Sequence, residues 1–124
     1  LVKTGNLNSL RTWADVRDAV RAYYMLTTIN PIPGEFYNIG GTDTRTIGEM
    51  LDFLISISYR SDEIGIETES ERIRPLDADA QIPDTTKFTK HTGWKPIISF
   101  EETMTDLLNY WREQVKKKGT FLAR

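Results

Sequence analysis

The 124-residue sequence contains no cysteine and a single histidine, His91. The first absence removes disulfide scaffolds, thiol nucleophiles and cysteine zinc sites, and makes a reducing cytoplasm the default compartment. The second removes any multi-histidine metal site, so no metal is expected. No apolar run approaches the roughly 18 residues of a membrane span, and no signal peptide is visible. There is no excess of basic charge either: 16 Lys and Arg stand against 18 Asp and Glu, for a net charge of −2. Nucleic-acid proteins usually carry a basic excess or stripe, so that class is not expected. The one basic run, Lys116-Lys117-Lys118, falls at the end of a predicted helix, where lysines complement the helix dipole.

Catalytic signatures are missing as well. No glycine-rich phosphate loop of the G-x-G-x-x-G or G-x-x-x-x-G-K-S/T kind occurs; Gly40-Gly41 is only a doublet. No Ser-His-Asp set is motivated by spacing. Asp77 and Asp79 have no apolar surroundings in sequence that would make them an acid/base pair. His91 follows Phe88 by one helical turn and reads as a half-buried or surface side chain.

What is present is the patterning of one α/β module, residues 1–118, with a frayed tail at 119–124. A chain of this length buries a real core without disulfides or metals. It starts on the apolar pair Leu1-Val2, as the middle of a longer chain would. Helical spacing of Trp13, Val16, Val20, Tyr23 and Thr27 predicts a helix over 12–28, capped by Thr12, with that stripe inward. The apolar stretch Glu35–Gly40, "EFYNIG", reads as a strand buried on both faces. Thr46-Ile-Gly-Glu49 is a capping box opening a helix to about Ser58, with Ile47, Met50, Leu51, Leu54 and Ile55 on one face. Alternation at Ile64, Ile66 and Thr68 predicts a short strand, parallel to "EFYNIG" in a β-α-β unit. Residues 69–83 read as an exposed loop. Asp84 caps a short helix over 85–92 that Gly93 ends. Ser99-Phe-Glu-Glu102 caps the last helix, with Phe100, Met104, Leu107, Leu108, Trp111 and Val115 inward. The expected fold is therefore a small mixed α/β module of about four helices and two or three short strands.

The remaining pattern is one of binding. Arg11 stands just before the first predicted helix, and Arg74 stands before Pro75 in "RPLD". Arginine offers a planar fork of donors that matches phosphate oxygens. Pro75 biases Arg74 to an extended backbone, which helps aim its side chain. Two arginines from two loops suit one diphosphate, and Asp77 suits sugar hydroxyls.

At these residues the sequence resembles the GDP-mannose 4,6-dehydratases and GDP-4-keto-6-deoxymannose reductases, which are extended short-chain dehydrogenase/reductases of the NAD-dependent epimerase/dehydratase kind. The likeness runs in order through "GNLNSLRTWADVRDAVRAYYML" at 5–26, "GEFYNIGG" at 34–41, "TIGEMLDFL" at 46–54, "IRPLDADAQIPDTTKFTKHTGWKP" at 73–96 and "SFEETMTDLLNYWRE" at 99–113. It implies a nucleotide-sugar-binding C-terminal portion, with Arg74 and Arg11 on the diphosphate, Asp77 on the nucleotide ribose and Asn6 close to the nucleotide. Asp84 and Lys87 then serve the structure. Three positions depart from the family pattern: Thr12 replaces an aspartate, Ile82-Pro83 replaces a residue and glycine, and Asp77 is shorter than the usual glutamate. The family's NAD(P)-binding glycine motif and its Y-x-x-x-K pair are absent, so the resemblance implies that NAD(P) and the catalytic residues belong to a Rossmann domain, and that no cofactor is bound by this chain. Without that domain, an exposed apolar face is expected to drive self-association. A different class remains open, a free-standing module that binds a ligand or a protein without catalysis.

Overall fold

The computed structural model describes residues 1–73 and 80–118. Among them the chain forms β1 (Val2–Thr4), β2 (Leu10–Trp13), α1 (Val16–Thr28), β3 (Asp43–Thr46), α2 (Ile47–Ser56), β4 (Ile66–Thr68), β5 (Ala80–Gln81), α3 (Thr86–Thr92) and α4 (Phe100–Lys118). The architecture is mixed α/β, as the sequence predicts, though with more short strands. β1 pairs with β4 in parallel, Val2 opposite Ile66. β2 lies between β3, antiparallel, and β5, parallel. None of the described helices is long and apolar enough to cross a membrane.

The first helix starts later than its apolar spacing predicts. Residues 10–13 are held in the β2 ladder, so Thr12 is not a cap; its hydroxyl donates to the Gln81 carbonyl at 3.1 Å. Asp15 caps instead, accepting from the Arg17 backbone N–H at 2.8 Å. The expected inward stripe also turns outward: Val16 is 72% exposed, Val20 61% and Tyr23 64%. The buried side carries Asp18 and Ala22, flanked by Met25 and Leu26.

Asp18 explains the inversion. One carboxylate oxygen accepts from Arg21 at 2.7 Å, and the other from the backbone N–H groups of Ile97 and Ile98 at 2.9 and 3.0 Å. Its own carbonyl accepts from the Trp94 indole at 3.1 Å. A carboxylate so supplied is stable when buried, and hydrophobicity alone could not find it.

Around this anchor the core packs Ala22, Phe88 and Trp94, with Met25, Leu26, Tyr37 and Ile39 against them. The "EFYNIG" segment contributes Tyr37 and Ile39 but joins no described ladder, and Phe36 is 81% exposed. Its tilted Tyr37–Phe88 contact, centroids 5.4 Å apart, takes the place of strand pairing. β4 therefore pairs with β1, not with this segment. The Thr46–Glu49 capping box forms as expected and opens α2, which ends at Ser56 with its apolar face only half-buried. Residues 69–83 include a 3-10 turn at Ser70–Arg72 and β5, so they are not all loop. Asp84 accepts from Thr86 N–H at 2.9 Å at the start of α3, and Gly93 ends it with φ 74° and a 2.8 Å bond to Thr89. Lys87 pairs with Glu35 at 2.6 Å and His91 bridges Tyr37 and the Asn30 carbonyl, so both act in structure.

α4 begins as predicted, with Ser99 accepting from Glu102 N–H at 3.1 Å. Phe100 and Met104 are buried, and Phe100 meets Trp13 and Phe53 edge-on. Beyond that point the stripe runs past the core: Leu107, Trp111 and Val115 are exposed, contrary to expectation.

This packing yields three predictions. Asp18→Ala removes the acceptor of two backbone donors and the carboxylate partner of Arg21, and is expected to cost about 3 kcal/mol or more, read by urea unfolding. Both Asp15 and Asp18 titrate below their ordinary 3.8: Arg17 donates to Asp15, while burial pushes Asp18 up and Arg21 with the two N–H groups more than offsets it. Their folded values lie under the unfolded ones, so their stabilisation is full above about pH 5 and falls away as acid protonates them. Unfolding measured from pH 3 to pH 7 tests the sign. Gly41→Ala, placing a Cβ 1.6 Å from the Trp13 carbonyl, is expected to destabilise by about 2 kcal/mol in the same assay.

Candidate functional site

The loop from Gly5 to Ser9 is pinned on two sides. The first N–H groups of α2 donate to it, Gly48 to the Leu7 carbonyl at 2.8 Å and Ile47 to that of Ser9 at 3.1 Å. These are helix donors that have no partner within the helix, so the loop completes the α2 N-terminus. Within it, Asn6 accepts the Asn8 N–H at 3.0 Å, a local turn that occupies its side-chain oxygen. On the other side the Arg72 carbonyl comes so close that a Cβ at Gly5 would lie 2.6 Å from it.

The loop leads into β2, where Arg11 is half-buried and sits directly opposite Arg45 on β3 and Gln81 on β5. Cross-strand partners share a face, and two arginines so placed repel unless each is compensated. Arg45 is held by Asp43 at 2.8 Å and Glu101 at 2.7 Å and lies 4.2 Å from the Phe100 ring centre. The Arg11 guanidinium donates to the Leu10 carbonyl at 2.8 Å.

Of the four residues expected to bind ligand, Arg11 and Asn6 lie within one run of loop and strand, while Arg74 and Asp77 lie outside the described residues. Arg72 abuts Gly5, and Ala80 stands opposite Leu10. Both therefore adjoin the segment that carries Asn6 and Arg11. Sequence reasoning missed two contributors here. Arg45 was missed because its place opposite Arg11 and its bond to Glu101, 56 residues away, are tertiary, although Asp43 stands two residues before it. The Glu69–Arg72 pair was legible as an i, i+3 charge pair in "ESER".

Among the described residues, the glycine doublet offers no cradle for a dinucleotide. This doublet, Gly40-Gly41, is packed shut: a Cβ at Gly40 would lie 2.4 Å from Pro83 and one at Gly41 1.6 Å from the Trp13 carbonyl. These glycines permit close packing of the chain on itself and present no open cradle for a pyrophosphate.

Residues 1–107 match the family described as GDP-mannose 4,6 dehydratase. The chain is 33% identical over 119 residues to a dTDP-glucose 4,6-dehydratase of Escherichia coli, covering 86% of this chain and 32% of that protein. It is 26% identical over 121 residues to the GDP-6-deoxy-D-mannose reductase of Pseudomonas aeruginosa, covering 94% of this chain and 38% of that one. The chain thus spans about a third of the length of these relatives. Its fold is similar to that of RMD from Pseudomonas aeruginosa, solved with NADPH, at TM-score 0.79 and 23% identity, over 92% of this chain and 36% of that one. A UDP-glucose 4-epimerase from Thermotoga maritima, solved with UDP-glucose, also gives TM-score 0.79, at 24% identity over 92% of this chain and 35% of the other. The match over most of its length shows that the chain belongs to the family described as GDP-mannose 4,6 dehydratase.

Proposed function

We propose that this chain is the nucleotide-sugar-binding, C-terminal portion of a GDP-mannose 4,6-dehydratase-like enzyme. Arg11 and Arg74 hold the diphosphate, Asp77 accepts from the ribose hydroxyls, and Asn6 lines the nucleotide. The observation that carries this reading is the convergence of two separate segments. Arg72 abuts Gly5 and Ala80 pairs with Leu10, so described residues that precede Arg74 and follow Asp77 in sequence both lie beside the segment of Asn6 and Arg11. A diphosphate has oxygens enough for two guanidinium forks, and each such pair is a strong, oriented contact.

NAD(P), which supplies hydride transfer when bound, belongs in this reading to a Rossmann domain outside the chain. The exposed α1 residues Val16, Val20, Tyr23 and Tyr24 form the apolar surface for that domain. The likeness to the Pseudomonas aeruginosa reductase supports a second reading, in which the same pocket serves a reductase instead of a dehydratase.

Calorimetric titration with GDP-mannose and UDP-glucose tests the assignment. GDP-mannose is expected to bind weakly, because loop ordering is offset by few contacts. Arg11→Ala and Arg74→Ala should each cost on the order of 1.5–3 kcal/mol, enough to remove the signal. Retained binding in both variants counts against the diphosphate assignment. Sedimentation of the isolated chain should show self-association through the apolar surface. A monomer at high concentration contradicts that.

A further inference from the structure

β1 and β4 bring three charged side chains together at the edge of the candidate site. Glu69 follows β4 and its N–H donates to the Thr4 carbonyl at 3.0 Å, which continues the β1–β4 pairing by one step. Its carboxylate accepts from Lys3 of β1 on one oxygen and from Arg72 on the other, the latter at 2.7 Å. The Arg72 backbone N–H also donates to the Glu69 carbonyl at 3.0 Å, closing the 3-10 turn over residues 70–72. Glu69 thus holds Arg72 by both side chain and backbone. The carbonyl of that same Arg72 is the group against which Gly5 packs too closely for any Cβ. Gly5 in turn precedes Asn6, whose side chain shapes the loop into β2 and Arg11.

We propose that Glu69 is a positioning residue for the nucleotide-sugar site, acting through Arg72 to fix the backbone of Gly5 and Asn6. This rests on the binding reading above, and Glu69 itself does not contact ligand in it. The Glu69 side chain is about a quarter exposed and its two partners are half exposed. Exposed pairs of this kind contribute little to global stability. What they do set is local geometry, and a binding loop displaced by a fraction of an ångström loses aligned hydrogen bonds.

The test uses Glu69→Gln, Arg72→Gln and the double variant, titrated with GDP-mannose and followed by amide resonances. Each single change should weaken binding about three- to fivefold, the upper part of what an exposed ion pair is worth. The double variant should be no weaker than the worse single one, since both act through one linkage. The unfolding midpoint should stay put, while the Gly5 and Asn6 amides shift. Glu63→Gln, which breaks the comparable exposed Arg60–Glu63 pair, should leave affinity unchanged. Unaltered affinity in Glu69→Gln, additive losses in the double variant, or an equal loss in Glu63→Gln would overturn the proposal. If the parent chain takes up no GDP-mannose, the binding reading fails on its own. The Gly5 and Asn6 amides then decide the positioning alone: unmoved amides in Glu69→Gln refute it.

Discussion

The buried carboxylate of Asp18 is the constraint from which the rest of the packing follows. It joins α1 to the segment after α3 through two backbone N–H groups, and Arg21 supplies the balancing charge while lying 5.9 Å from the Trp94 ring centre. Because one turn of α1 is committed to these polar contacts, the helix must rotate its apolar stripe away from the core. Trp94 can then seat its indole N–H on the Asp18 carbonyl and its ring against Phe88. A second clamp works beside it. Asp15 caps α1 and also accepts from Thr103 of α4 at 2.8 Å, while Arg17 reaches Asp106 at the same distance. Two acidic residues near the start of one helix thereby fix where the last helix lies.

Much of the architecture was legible in the sequence, and the misses share one cause. The capping box at Thr46–Glu49, the Ser99 cap and the Gly93 stop were readable because each is a local device whose partners lie within a few residues. The rotation of α1 was not, since it depends on partners far down the chain. "EFYNIG" has strand composition, but composition cannot say whether a ladder partner is at hand. The outer half of α4 makes the same point: Leu107, Trp111 and Val115 keep the inward period after the core beneath them has ended.

The candidate site was legible in part. Arg11 and Asn6 stand out through the arginine chemistry and the family likeness, and the geometry around them adds what sequence could not supply. It shows the loop completing the α2 N-terminus, and it shows Arg45, the cation opposite Arg11, already matched by Asp43 and Glu101. That matching bears on the proposed binding. In that reading a matched Arg45 leaves Arg11 as the cation of this strand pair that faces the diphosphate.

The separation of Asp18 from its backbone donors also bears on how the chain is made. Ile97 and Ile98 lie 79 and 80 residues downstream of it. During synthesis α1 emerges first, with its buried carboxylate and the Trp94 socket both unfilled. At a typical rate of about 5–20 residues per second, several seconds pass before those donors leave the ribosome. For that interval the helix has an ionised group on the side it must later bury, which discourages premature collapse onto the wrong partner. A truncation anywhere before Ile98 would leave the chain permanently in that state.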